Sequence, residues 1–429
     1  MTHVAAWGKN LRVALAVVVA AAVGAACSPS GPSGQAGSTR LTVWSWRTED
    51  VAAYNRIFAE YPKTHPGVTV EFKAYKNTEY NTILQTGLTA SGGPDVAQLR
   101  TYGQLQPFVE GGGLLPLDGK VNLTGFQPSV QASAKGKKDG KLYGVPAAVQ
   151  TMQVFYNKKI FAAQGIEVPK TWAELTAAAA KLKAAGVTPF AVTGKDNWML
   201  PILHDTFAAT RYGGAGFEAK VLAGKAKFTD ADYVASLQVV QSLRQYLPED
   251  VVGVSYTDSQ LLFINERAAM FPGGSFELGF FASQNPDLQI GTFAAPPPPG
   301  AVLSAPATPG WADMSYGVSA KSAHQKEAVE LVSWMATKDF GQRFTDELKQ
   351  ISPVPGVTAS DPLLAQMRRA YDRSPAPYLM LVDFRYGQPT GTDLVAAGIQ
   401  QMLLGKTDAA GVAGSVQKGL AQWFSPLGG

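Results

Sequence analysis

Cysteine is almost missing. Of 429 residues only Cys27 carries a thiol, so no disulfide can form within the chain and no cluster of thiolates can hold a metal. Charge is sparse as well: charged residues make up 16%, and the formal charge is +4, to which Lys9 and Arg12 contribute two. The densest basic stretch, Lys135–Lys141, is interrupted by Asp139 and reads as a solvated loop, so nothing points to nucleic acid. No nucleophile elbow, no His-Glu-x-x-His and no phosphate-binding loop is present; Gly273-Gly-Ser275-Phe-Glu277 lacks the final glycine of the elbow. No repeat recurs at a period of roughly 20 to 50 residues. The histidines beyond the N-terminal segment, His65, His204 and His324, are isolated in sequence, so solvated or internally satisfied rings are expected rather than a metal site.

Against those absences, hydrophobic residues reach 46%, which describes a globular chain long enough for two or three domains. Lys9 and Arg12 precede the small, apolar run Val13–Ala26. That run is shorter than the ~20 residues a membrane-spanning helix needs, so residues 1–26 are predicted to be a secretory signal peptide. Cys27 follows directly, and Ser28–Thr39 is a Gly/Ser/Pro-rich tether. The order resembles a bacterial lipoprotein, with Gly24 where the lipoprotein box usually carries an aliphatic residue. A lipid on Cys27, and a place on the outer face of the cell membrane, are therefore expected.

The mature chain alternates strand and helix patterns. Arg40–Trp46 is a β run, and Val51, Tyr54, Ile57, Phe58 and Tyr61 recur at helical spacing before Pro62. Val68–Phe72 is a second strand, and this strand–helix–strand order predicts a right-handed crossover in a parallel sheet. A helix over Glu79–Ala90 leads through Ser91-Gly-Gly-Pro-Asp95 to a third strand. Lys141–Ile160 reads as one long strand interrupted by Gln150 and Gln153. Amides inside an apolar strand must find partners or face a cavity, so this stretch is predicted to cross between two halves. Thr171-Trp-Ala-Glu174 has the form of a capping box; helices are expected over Asn197–Tyr212 and Asp230–Leu247. Strands are expected at Pro189–Val192 and Gln289–Ala294. Pro296–Pro299 and Ile351–Val357 are the predicted second and third crossings. Sheet resumes at Tyr316–Ser319, Ser322-Ala-His-Gln325 is expected to cap the helix that follows, and Leu394–Trp423 carries an amphipathic helical stripe.

Eight segments in one order, LTVWSW, YPKTHPGVTVEF, SGGPDVAQL, GGGLLPLDG, GKLYGVPAAVQTMQVFYNKKIF, KTWAELTAAAAKLKAAGVTPF, RAAMFPGGSF and GVSAKSAHQKEAVELVSWM, resemble the sugar-binding solute-binding proteins of bacterial ABC importers. The resemblance implies an α/β, two-lobed periplasmic-binding-protein-like fold of type II, with discontinuous lobes joined by hinge strands. It places residues 40–149 plus 300–356 in the N-terminal lobe and 150–299 plus 357–429 in the C-terminal lobe. It further implies a carbohydrate in the cleft, permease subunits as partners, a monomer, no cofactor and no catalysis.

Sugars offer axial hydrogens to aromatic faces and hydroxyls to paired donors and acceptors, and open α/β sheets bind ligands beyond the carboxyl ends of their strands. Residues of those types at predicted strand ends are the candidates: Trp44, Ser45, Trp46 and Arg47 after the first strand; Arg100 and Tyr102 after the third; Gln150 and Gln153 on the crossing; Trp198; Phe276, where relatives often carry a stacking tryptophan; Trp311 and Asp313; and Asp393 beside Thr392. Arg385 and Tyr386 either reach the cleft or cover the surface, and Trp172, Trp334 and Trp423 fall on amphipathic helix faces as core residues. A secreted glycoside hydrolase would share this aromatic and acidic content and needs two carboxylates flanking the scissile bond. A non-sugar polar solute such as a glycerophosphodiester is the other alternative cargo.

Overall fold

The long apolar stretch that follows Gly144 becomes a single strand of 13 residues, β4 (Val145–Asn157), and the rest of the sheet is arranged on its two halves. A computed structural model describes residues 38–428; the signal peptide and Cys27 expected from the sequence lie outside the described residues. Ahead of β4 come β1 (Thr39–Ser45), β2 (Val68–Ala74) and β3 (Val96–Arg100). β1 pairs in parallel with both β2 and β3, one on each side, as helices Val51–Phe58 and Tyr80–Thr89 return the chain to the same end of the sheet each time. Tyr54, Ile57 and Phe58 of the first helix are buried against the sheet.

After β4 follow β5 (Thr188–Phe190), β6 (Ala268–Gly274), β7 (Ile290–Phe293), β8 (Thr308–Val318) and β9 (Pro375–Pro377). The strand order is β2-β1-β3-β8-β4-β6-β5, with β7 on β4 and β9 on β8. The first half of β4 pairs antiparallel with β8 from Val145 to Thr151. Its second half pairs with β6 from Met152 to Tyr156 and with β7 from Val154 to Asn157. β8 makes the same passage in reverse, from β9 at Thr308–Gly310 to β3 at Met314–Val318. A third segment joins them where the Val149 amide donates to the Ile351 carbonyl at 2.8 Å. Pro296–Pro299 lie in the irregular connection from β7 to β8, where a missing N–H leaves no ladder bond unmade.

Two hydrophobic cores flank these passages. One gathers Leu41, Val43, Tyr54, Leu99, Tyr316 and Phe340 around β1, β3 and β8; the other gathers Phe190, Phe207, Tyr233, Met270 and Val395 around β5 and β6. Trp334 is buried in the first, and Trp172 and Trp423 are half-buried against the second. His204 is buried and satisfied between Asp205 Oδ1 at 3.1 Å and Ser236 Oγ at 2.8 Å.

Several sequence expectations need correction. β8 begins at Thr308, well before Tyr316, so Trp311 and Asp313 sit within a strand and not ahead of one. The helix Gln325–Met335 takes His324 as its N-cap without a side-chain cap bond. Ser322 instead donates to Asp95 Oδ1 at 2.6 Å and accepts from the His324 amide. Asp95 also accepts from the Thr42 amide at 2.8 Å, tying β1 to the turn after β8. Helices Gly214–Leu222, Tyr256–Ile264, Glu277–Gln284, Lys338–Leu348 and Pro362–Arg373 were not anticipated. The capping box at Thr171 is present as expected, with both reciprocal bonds made.

Candidate ligand-binding cleft

β1 ends at Ser45, whose hydroxyl is bonded to Gln98 Oε1 and accepts from the Arg47 amide at 2.9 Å. That local turn carries Trp46 and Arg47 off the sheet end and into a cavity of about 350 Å³. Arg100, at the end of β3, lays its guanidinium over the Trp46 ring at 4.4 Å. Asn81 Oδ1 at 3.2 Å and the Asn77 carbonyl and side-chain oxygens, each at 3.1 Å, hold it there. Its nitrogens meet neutral oxygens only. Burial pulls this guanidinium down to about 10, with Asp313 opposing, so it stays charged at neutral pH.

Arg47 is fixed by Asp50 at 2.7 Å and Glu49 at 2.8 Å. Burial disfavours its charge, but the two carboxylates outweigh that and hold it above its ordinary value. Its remaining nitrogen reaches the Phe276 carbonyl at 3.4 Å, which links the end of β1 to the turn after β6.

Aromatic rings line the other side in sequence. Trp198 meets Tyr256 edge-on at 5.0 Å and lies 6.4 Å from Phe276; Phe276 is 6.4 Å from Trp311, and Trp311 is 5.1 Å from Tyr378. The indole of Trp311 is locked by donating to Asp313 Oδ1 at 2.9 Å. Behind this wall Glu277 is wholly buried and accepts from Tyr256 Oη and Gln260 Nε2, both at 2.8 Å. Burial pushes its carboxyl up to about 7, against the hydrogen bonds and Arg47. Thr390 caps the helix Gly391–Leu403 and donates to Asp393 Oδ2 at 2.6 Å, so Thr392 and Asp393 reach the cavity from a helix N-terminus.

Of the sequence candidates, Trp46, Arg47, Arg100, Trp198, Phe276, Trp311, Asp313 and Asp393 come together around this cavity. Five others lie elsewhere. Trp44, one residue short of the end of β1, packs its ring on Tyr75 at 5.0 Å and against Gly87 of the helix Tyr80–Thr89, and stops short of the cavity. Ser45 is buried beneath the turn it shapes. Tyr102, with φ +56°, lines a separate cavity of about 500 Å³. Gln150 is fully buried: it donates to Asp313 Oδ2 at 3.2 Å and Gln350 Oε1 at 2.9 Å and accepts from Ser275 Oγ at 2.7 Å. Gln153 donates to the Met367 carbonyl at 3.0 Å. Their amides have found partners inside the protein. The sequence reading missed Asn77, Asn81, Tyr256 and Tyr378. Asn77 follows β2 at a sheet end, a position that could have flagged it; Tyr378 has no local signal.

The sequence profile described as bacterial extracellular solute-binding protein matches residues 44–342. A multiple sugar-binding protein of Streptococcus mutans serotype c is 28% identical over 361 residues, covering 79% of this chain and 81% of that protein. A structure from work on xylan utilization by the thermophilic bacterium Caldanaerobius polysaccharolyticus superposes with a TM-score of 0.77 at 25% identity, over 88% of this chain and 99% of that one. A chitin oligosaccharide binding protein gives a TM-score of 0.75 at 24% identity, over 90% and 99%. The mixed α/β architecture is thus that of the type II periplasmic-binding-protein fold.

Proposed function

Because this chain belongs to the bacterial extracellular solute-binding protein family, whose members bind and do not catalyse, we propose that its cleft captures a mono- or oligosaccharide and delivers it to the membrane permease of an ABC importer. The observation that carries this reading is the facing arrangement of Trp46 beneath Arg100 and the Trp198–Phe276–Trp311–Tyr378 wall. Flat apolar faces suit the hydrogens of a sugar ring, and the amides and carboxylates fixed around them suit its hydroxyls. A volume of about 350 Å³ is at the small end of the ~300–1,000 Å³ usual for ligand sites, which favours a short saccharide.

Charge argues for a neutral cargo over a glycerophosphodiester. The lining guanidiniums of Arg47, Arg100 and Arg385 are matched by the carboxylates of Glu49, Asp313 and Asp393, whereas a phosphate site calls for an excess of cations. In this proposal the lobes are 40–149 plus 300–356 and 150–299 plus 357–429; β4 and the Ile351 segment are hinges as expected, and β8, whose start at Thr308–Gly310 pairs with β9, takes the place of the second crossing expected at Pro296–Pro299. Cys27 carries the lipid that keeps the carrier at the membrane. Closure requires both lobes to touch the ligand, since a ligand shifts a conformational equilibrium only by its differential affinity for the two states. Trp46→Ala and Trp311→Ala are each expected to weaken saccharide binding by about 1 to 3 kcal/mol, measured by tryptophan-fluorescence or calorimetric titration of folded variants. Unchanged affinity in either would remove that ring from the site.

A further inference from the structure

Arg385 is the cleft residue whose hydrogen bonding is left incomplete. It lines the cavity, and its Nε is buried with no acceptor in reach. Burial pulls its guanidinium below the ordinary value, with Tyr378, Asp393 and Asp313 opposing. None of those acids stands within ion-pair distance of it; Asp313 is engaged with Trp311 and Gln150, and Asp393 with Thr390. A buried donor without a partner is costly, so this N–H favours an acceptor oxygen brought into the cavity.

The main chain of the same residue lies on a seam. Gly103, in the turn Tyr102–Gln104, sits so close to the Arg385 carbonyl that an added Cβ would collide with it and with the Tyr386 nitrogen. The turn is anchored to β8, since Thr101 Oγ1 donates to the Ala312 carbonyl at 2.8 Å. The facing segment is anchored to the second core: Asp205 Oδ2 accepts from the Leu379 amide at 2.9 Å, and Trp423 Nε1 donates to the Pro389 carbonyl at 2.8 Å. Within it Tyr378 and Leu381 belong to the first core, while Leu379, Met380 and Phe384 belong to the second. Lys137 adds a cation over the Tyr386 ring at 4.7 Å.

We propose that Arg385 contacts the ligand directly and couples it to this seam, its guanidinium Nε donating to a saccharide oxygen while its carbonyl, seated on Gly103, holds the segment Tyr378–Thr390 against the turn. This rests on the reading of the cleft as a saccharide site. An occupant that fixes the Arg385 side chain thereby fixes the main chain that joins the two cores. Glycine at 103 is needed for closeness of approach, since any Cβ would push the seam apart.

Two arms test it. Without ligand, hydrogen–deuterium exchange over residues 379–390 is expected to rise at least several-fold in Gly103→Ala, and less in Tyr386→Ala, which loses the Lys137 contact and a half-buried ring at the edge of the first core but leaves the main chain on Gly103. Unchanged exchange in both folded variants overturns the seam. With maltose, xylobiose, raffinose and N,N′-diacetylchitobiose as probes, whichever binds the wild type is expected to bind Arg385→Met at least tenfold more weakly, with Arg385→Lys in between because an ammonium restores a donor. Wild-type affinity in Arg385→Met overturns the ligand contact. If no probe binds the wild type, the saccharide reading fails and the ligand contact fails with it, while the exchange arm still decides the seam.

Discussion

Glu277 shows how one buried side chain sets the chemistry of the cleft wall. Its two oxygens are taken by Tyr256 and Gln260, and through Tyr256 it braces Trp198. Burial lets the folded protein keep the Glu277 proton up to about pH 7, whereas an unfolded chain releases it near 4.5. The stability linked to that proton is therefore complete below about pH 4.5 and is lost as the pH rises through about 7. Glu277→Gln, which has no proton to lose, is expected to flatten this decline; melting temperatures of the two proteins should diverge in the variant's favour as the pH is raised from 5 to 8. Parallel curves across that range would show that Glu277 does not titrate there. Gln150 makes the complementary point: an amide on a crossing strand signalled a polar demand, yet three internal partners meet it. From the sequence, a cavity and a partner distant in the chain look the same.

At the scale of elements, the passage of β4 and β8 between their neighbours depends on close approach. Gly310 of β8 faces Thr151 of β4, and a Cβ there would lie 2.6 Å from the Gln150 carbonyl and 2.5 Å from the Tyr371 ring. Gly310→Ala is expected to destabilise the protein by about 1 to 3 kcal/mol, the usual range for overpacking, seen as a lower denaturation midpoint with an unchanged slope. No loss would mean that the crossing strands yield easily. The βαβ opening, the β4 crossing and the Thr171 cap were legible because each is written in local periodicity or capping chemistry. Helix Lys338–Leu348 was equally written, with Thr337 as its cap and Phe340, Phe344 and Leu348 on one face, and went unread. Gly214–Leu222 was not legible: it opens Gly-Ala-Gly, with positive φ at Gly213 and at its own first residue Gly214, which reads as a turn. The early start of β8 was hidden by Pro309 and Gly310, residues that usually argue against a strand interior. Site residues at the ends of β1 and β3 could be found because sheet ends are where α/β folds bind. Tyr256, Tyr378 and Arg385 arrive from segments brought near only by tertiary packing.

For the whole molecule, the two cores, the three strand-like passages between them and the cleft lined from both sides belong to one mechanism. The ends of β1 and β3 supply Trp46 and Arg100; the turn after β6 supplies Phe276, and the first turn of the helix Gly391–Leu403 supplies Thr392 and Asp393. In the proposed function, a ligand bridging these groups would stabilise the state in which they face one another, and that state would be what a permease distinguishes from the empty carrier. The most direct measurement is calorimetric titration of the protein with a panel of neutral mono- and oligosaccharides, followed by mass spectrometry of the recovered ligand. The account predicts a saccharide that binds with one site per chain and is recovered intact. At about 1,000 times its Kd such a ligand should also add roughly 4 kcal/mol of stability. A panel that gives no heat and no stabilisation, or a bound sugar recovered in cleaved form, would contradict it.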